Sequence, residues 1–441
     1  MNSFLNIFII LLIELSIVHC GEFFHLSDLH LDILSDPTNY GPDQFCRPPH
    51  VRPELDYQKR TRSFLKEDFG ITIGISDKND LVSSHNFTNK EYGWYLCDSI
   101  PKMANEFLGK VLPSSNAEFI IFTGDFVAHN QLSKNSVRDA FRAAYNVVEN
   151  SNTNNLTVIP TIGNEDFYPD YGFDKCSSEQ LYHMWEVWGN TWVPAPSKDT
   201  FLSFGGFRKH LYNGKLRVIS INTVAYHVRN SHFRHDDDPC GQFNYLKNEL
   251  HYAFLQNEHV WIVGHIPPTD GFWNANHQQT FLKLMKHYER IIIATFWGHT
   301  HHDSFFISDI ADQFYGFIAP SITPNPPNPS ARIVKFDDTR YFVEDYHQIY
   351  FNLKQANKDN VILPTLEYDF ISEYKSVFTG SVIPDLKNLR TLQNALISDD
   401  QLYTTWLNNH NVQYNDGRFE SICSLFLDEA AYWNCRMTQT M

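Results

Sequence analysis

Positive charge is scarce in this chain of 441 residues: 35 lysines and arginines face 51 aspartates and glutamates, a formal net charge of -16. The basic residues form no cluster, so the electrostatic footprint of a nucleic-acid duplex binder is missing and that partner is not expected. Long apolar runs are missing too. The best, Phe4 to Val18, is interrupted by Asn6, Glu14 and Ser16, whereas a membrane helix needs about 20 apolar residues. The 7 cysteines never form a close CxxC pair, which disfavours a thiolate metal site. Met437 to Met441 lack the apolar tail of a glycolipid anchor, and no internal repeat is visible.

The interrupted run ends in Val18-His19-Cys20 before Gly21-Glu22. It reads as a signal peptide over residues 1–20, although no Lys or Arg precedes it; an uncleaved anchor is the competing reading. The remaining chain is expected to be secreted and extracellular, with the lysosome as the alternative, to have no transmembrane segment, and to be a monomer. Cleavage leaves Cys46, Cys97, Cys176, Cys240, Cys423 and Cys435, an even set that suits disulfides in an oxidising compartment. The last two are expected to pair, with Cys46–Cys97 and Cys176–Cys240 as the expected remainder among the 15 pairings that six cysteines allow. Asn86-Phe-Thr88 and Asn155-Leu-Thr157 are acceptors for N-glycans.

Metal-ligating residue types are present, in a pattern. Asp28-Leu29-His30, Gly124-Asp125, Gly163-Asn164, Gly264-His265 and Gly298-His299-Thr300-His301 each follow a branched or aromatic run, the signature of a buried strand ending at a turn. They supply two carboxylates, one amide and four imidazoles, enough for two metal ions. Ligands of open α/β sheets gather beyond the carboxyl ends of strands, so the five sites can converge. Taken singly, each is more often a turn or a solvated loop; five in register after strands are not. In extended backbone, i and i+2 share a face, which would aim Asp28 with His30, and His299 with His301, at one centre. Oxygen and imidazole without thiolate suit zinc, and also iron or manganese.

His25-Leu-Ser-Asp28-Leu-His30-Leu-Asp32, Gly124-Asp125 with His129, Gly163-Asn164, Asp238-Pro239 with Gly241-Gln242, and Gly264-His265-Ile-Pro267-Pro268 all carry a family likeness. So do Gly298-His299-Thr-His301-His302-Asp303 and Pro320-Ser-Ile-Thr323-Pro324 with Asn328-Pro329 and Arg332. With these motifs the chain resembles the calcineurin-like metallophosphoesterases, and within them the acid sphingomyelinase and acid sphingomyelinase-like phosphodiesterase branch. The resemblance implies an α/β fold: a four-layer sandwich of two central mixed β-sheets flanked by helices over residues 21–346. A mainly helical C-terminal subdomain would follow over 347–441.

Carried over by position, the resemblance gives one zinc to Asp28, His30 and His301 and the other to Asn164, His265 and His299, with Asp125 bridging. Such a pair activates a shared water and clamps the attacking and departing oxygens of an in-line displacement. His129 would protonate the leaving group. One position departs from the pattern: the family's Gly-Asn-His reads Gly163-Asn164-Glu165-Asp166 here. Glu165 would serve as an acid only if its pKa were raised, and an ionised Glu165 would repel phosphate. Two readings follow: a phosphodiesterase acting on a small phosphodiester, nucleotide or phospholipid headgroup such as that of sphingomyelin, or a secreted binding protein that keeps its metals and turns over slowly. The motifs begin so soon after the signal that no room remains for an amino-terminal saposin module, so the shorter phosphodiesterase-like members are the nearer match. A purple acid phosphatase would need a tyrosine where Ala128 stands.

Elsewhere the pattern is structural. Ser136 to Val148 reads as a helix, Pro320 to Pro329 as a rim loop, and Ala331 to Phe336 with Tyr341 to Tyr346 as a hairpin. Phe272-Trp273 is expected to pack locally, with lipid contact as the alternative. Leu386, Leu389, Leu392 and Leu396 recur at helical spacing, Ser398-Asp399-Asp400 reads as a cap, and Phe419 to Trp433 suggests a last helix.

Overall fold

The computed structural model of the protein describes residues 20–36, 46–48, 90–269, 271–308, 314–325 and 327–414. The signal run, the Asn86 acceptor, the Cys423–Cys435 pair and the last expected helix lie outside them.

The strands are β1 (Cys20–Leu26), β2 (Phe119–Phe122), β3 (Thr157–Pro160), β4 (Phe207–Leu211), β5 (Leu216–Ser220) and β6 (His259–Val263). There follow β7 (Ile292–Trp297), β8 (Ser304–Ile307), β9 (Tyr315–Ile318), β10 (Ser330–Asp337), β11 (Val343–Tyr350) and β12 (Thr365–Asp369). They form two mixed sheets, ordered β12-β11-β10-β1-β2-β3 and β4-β5-β6-β7-β9-β8. In the first, β1, β2 and β3 are parallel; in the second, β5, β6, β7 and β9 are. A strand covered on both faces needs no polar alternation, and all four residues of β2, Phe-Ile-Ile-Phe, are buried.

An aromatic seam joins the sheets. Phe23 of β1 lies 4.9 Å from Phe119 on its own sheet, and 5.1 Å from Trp261 of β6 and 5.2 Å from Phe296 of β7 on the other, centroid to centroid. The Trp261 indole N–H donates to the Tyr341 carbonyl at 2.9 Å, so this buried ring leaves no donor unpaired.

Helices flank this core. Helix α1 (Pro101–Val111) starts on a proline and buries Met103, Phe107 and Leu108. Helix α2 (Lys134–Ser151) covers the expected span; Ser133 and Ser136 close a reciprocal capping box at its start. Ser178 caps α3 (Glu179–Trp188). Helices α4 (Gln242–Gln256) and α5 (Ala275–His287) follow β5 and β6. The expected hairpin is β10 with β11, paired antiparallel. The expected boundary at Tyr346 falls inside β11, and β12 extends the same sheet. Beyond it come α6 (Leu386–Ser398), with Leu389, Leu392 and Leu396 buried, and α7 (Asp400–His410), capped by Asp399. Disulfides join Cys46 to Cys97 and Cys176 to Cys240, as expected. No described helix is long and apolar enough to cross a membrane.

Candidate metal centre

Every expected ligand sits within four residues of the carboxyl end of a parallel strand: Asp28 and His30 after β1, Asp125 after β2, Asn164 after β3, His265 after β6, and His299 and His301 after β7. The route to convergence differs from expectation. Asp28, His30, Asp125, His299 and His301 all have positive φ, at 51°, 42°, 55°, 74° and 66°. The i, i+2 pairs are therefore not displayed by extended backbone; left-handed turns present them, a conformation uncommon for residues with a Cβ and concentrated at functional sites. The surrounding ladder holds these turns: Asp28 and His30 N–H donate to the Gly124 and Asp125 carbonyls, at 3.0 and 2.9 Å.

Three imidazoles are pinned from behind. The second nitrogen, Nδ1, of His30 meets the Val127 carbonyl at 3.1 Å, that of His265 meets Thr123 O at 2.6 Å, and that of His301 meets Asn325 O at 2.6 Å. A carbonyl accepts only, so each Nδ1 carries a proton and, in the neutral ring, each Nε2 presents a lone pair, the arrangement that orients metal-ligating histidines. The Nε2 atoms face inward. His30 Nε2 lies 3.1 Å from His301 Nε2 and 3.6 Å from Asp28 Oδ1, and His301 Nε2 lies 3.5 Å from the same oxygen. His265 Nε2 lies 3.1 Å from Asn164 Oδ1.

Asp125 stands between the groups. Its Oδ2 is 3.5 Å from His30 Nε2 and 3.1 Å from His265 Nε2. Ligand atoms of Asp28, His30 and Asp125, and separately of Asp125, His265 and His299, lie within 4.8 Å of one another. Asp28 Oδ1 is buried and accepts no hydrogen bond from the described residues. Lone pairs converging on an unsatisfied carboxylate oxygen are what a divalent cation resolves, so these residues fit a pair of metals.

Two glycines make room. A Cβ on Gly163 would collide with the Asp125 carboxylate, and one on Gly298 with the Ser27 hydroxyl, which itself donates to Asp28 Oδ2. The same oxygen also receives the His299 N–H at 3.0 Å. Burial opposes the charge on Asp28 and Asp125, but hydrogen bonding and charge from the histidines hold both below the usual carboxylate range. Burial also opposes charge on His265, yet Asp125 outweighs it and raises this imidazole to about 9. At His301 burial outweighs the nearby Asp28 carboxylate and takes the imidazole down to about 4, and at His299 burial and the neighbouring histidines take it well below the ordinary range.

His129 stacks on His30 with ring centroids 4.1 Å apart, so the structure does bring it to the candidate ligands. Burial would neutralise it, but the Asp98 carboxylate, by charge and hydrogen bond, raises it to about 10, with Asp125 adding to this. Asp98 was not legible as a site residue; its one signal is its place next to Cys97, which the disulfide fixes. Arg47, next to Cys46, was missed as well. Its guanidinium spans the His129 carbonyl at 2.9 Å, the Asn130 carbonyl at 2.8 Å and Asp32 Oδ2 at 2.7 Å.

Glu165 is buried beside the ligands. Its N–H donates to Asp125 Oδ1 at 2.8 Å and its Oε1 accepts from Asn164 Nδ2 at 3.0 Å. Burial, with Asp170 and Asp125 adding to it and His129 opposing, pushes its carboxyl well above the usual range. Asp166 accepts the N–H groups of Phe126, Val127 and Gly163, which ties the Asp125 and Asn164 loops together. The proline-rich segment lines the site as expected, with Thr323 N–H on Asp28 O and Ser321 N–H on His301 O, both at 3.0 Å. Phe272 and Trp273 are buried and pack locally.

The family profile described as calcineurin-like phosphoesterase matches residues 21–303. A protein named sphingomyelinase phosphodiesterase D from Dictyostelium discoideum is 29% identical over 94% of this chain and 93% of its own. A cyclic GMP-AMP phosphodiesterase of Rattus norvegicus is 27% identical over 94% and 91%. Acid sphingomyelinase-like phosphodiesterase 3b of Homo sapiens is 24% identical over 92% and 86%.

Proposed function

This chain belongs to the calcineurin-like phosphoesterase family, and from that premise we propose that it is a metal-dependent phosphodiesterase of acid sphingomyelinase-like type. The observation that carries the reading is Asp125 Oδ2 lying between His30 Nε2 and His265 Nε2, each the centre of its own ligand group. Asp28, His30 and His301 would hold one divalent cation and Asn164, His265 and His299 the other, zinc being our assignment. Cations there supply Lewis acidity toward phosphoryl oxygens and activate water near neutral pH.

The protein's own groups do the rest. His129, kept protonated by Asp98, gives its proton to the departing oxygen. Glu165, kept neutral by burial, borders the phosphoryl group without repelling it. The substrate class is a small phosphodiester or phosphoanhydride, of the nucleotide or choline-headgroup kind; the names of the relatives support both. Secretion, or delivery to the lysosome, suits the two disulfides, and Asn155 is exposed, as a glycan acceptor must be.

The test is hydrolysis of bis(p-nitrophenyl) phosphate by purified protein loaded with zinc, at pH 5 and pH 7, beside Asp125→Ala. Metal-dependent turnover that the variant abolishes supports the reading. Full metal occupancy with no turnover at either pH, together with turnover gained on Glu165→His, would establish the binding-protein reading instead.

A further inference from the structure

We infer that His227 donates a hydrogen bond from Nε2 to a non-bridging oxygen of the substrate's phosphoryl group, beside the cation site of Asn164, His265 and His299. His227 follows a short turn, Thr223–Tyr226, and is buried. Its Nδ1 accepts the Arg229 backbone N–H at 3.1 Å. A ring nitrogen that accepts carries no proton, so the imidazole is neutral and its proton sits on Nε2. That Nε2 is buried and has no hydrogen-bond partner among the described residues. Buried donors are paired in the great majority of native proteins, and an orphan asks for a partner.

The position of the ring says which partner. It lies 4.3 Å from the Tyr171 ring and 6.2 Å from Phe272, which fix it on two sides, and it meets the His299 ring edge-on at 6.0 Å. Phe272 in turn sits 5.0 Å from His299. The backbone is tied down as well, by a bridge from His227 to Trp273 and by Val228 N–H on Phe272 O at 2.8 Å. A proton donor locked next to a metal-ligating histidine meets the oxygens of whatever that metal draws in. For a phosphoesterase these are phosphoryl oxygens, so the inference rests on the reading above and adds a residue that recognises its substrate.

The test uses the full chain loaded with zinc and compares His227→Phe, His227→Asn and His227→Gln. Phenylalanine keeps the stacking, asparagine keeps an acceptor for Arg229, and glutamine restores an N–H near the Nε2 position. Phe and Asn should lower kcat/KM for bis(p-nitrophenyl) phosphate at least tenfold and weaken inorganic phosphate binding, read by calorimetry, at least fivefold. Zinc content should stay at the wild-type level, and Gln should keep both quantities within about threefold. Phe and Asn variants within twofold of wild type in both measurements overturn the inference, as do equal losses in all three. Phosphate binding is read without turnover, so an inactive wild type defeats the phosphodiesterase reading while His227 is still judged.

Discussion

Asp98 grips His129 at two atoms: Oδ2 accepts its backbone N–H and Oδ1 its Nδ1–H, each at 2.8 Å. One contact fixes the turn, and the other fixes the ring and its charge. The histidine is thereby raised to about 10 against the burial that would lower it. A group raised in this way contributes stability in full below the unfolded histidine value of about 6.5, and that contribution fades as pH rises through the folded value.

Asp98→Asn should therefore bring the basic limb of the kcat/KM profile down by at least 2 pH units, because the acid now loses its proton earlier. At about pH 9, between the old limb and the new one, the rate should fall at least roughly tenfold, because most of the acid has then lost its proton. Zinc content should not change. An unmoved basic limb would remove His129 from the acid's role.

Arg47 holds the His129 carbonyl and Asp98 its ring, and the disulfide joins their neighbours, Cys46 and Cys97. Removing the bridge with Cys46→Ser and Cys97→Ser together should cost about 2–4 kcal/mol of stability by giving the unfolded chain back the conformational freedom that the cross-link takes from it. It should also lower kcat about tenfold with KM within twofold, since a misplaced acid affects the reaction more than binding. Urea unfolding and steady-state kinetics on the double variant check both.

Glu165→Gln should retain activity within about threefold. Burial holds the carboxyl well above its ordinary range, so the neutral amide copies the form already present at pH 7. A loss beyond about thirtyfold would show that the carboxyl proton itself is transferred.

Metal uptake should release protons. Asp125 holds His265 at about 9, so protein stripped with a chelator carries a proton there at pH 7, and a ligand must lose it. Zinc titrations by calorimetry in two buffers of different ionisation enthalpy should report close to one proton released at pH 7. Apparent affinity should rise with pH up to about 9 and flatten above it. His265→Gln should abolish the release and weaken zinc binding.

Trp261→Ala should cost about 3–5 kcal/mol, the range for deleting a buried large aromatic ring. It would empty the middle of the seam between Phe23 and Phe296 and leave the Tyr341 carbonyl without its donor. Thermal melts of the metal-loaded protein measure this directly.

Much of the site could be read from residue types alone. A strand that ends in Ser-Asp, Gly-Asp, Gly-Asn or Gly-His writes its candidate ligand next to its own hydrophobic run, so Asp28, Asp125, Asn164, His265 and His299 are each legible as candidates where they stand. Local periodicity likewise showed α2, α6 and the hairpin of β10 with β11. The left-handed turns at Asp28, His30, His299 and His301 were not legible, because long-range hydrogen bonds hold them and no local preference of Asp or His demands them.

Which candidate donors this protein carries was determined by its sequence: two carboxylates, an amide and four imidazoles, each placed just past a strand. Which residues surround them was decided only in three dimensions. Asp98, Arg47 and His227 acquire their contacts from neighbours 31, 82 and 2 positions away, and at those positions an isolated aspartate, arginine or histidine looks like any other. A ligand type is a local property of the chain, whereas a pKa, a tautomer or an orphaned donor belongs to the packed surroundings and exists only after the two sheets have closed.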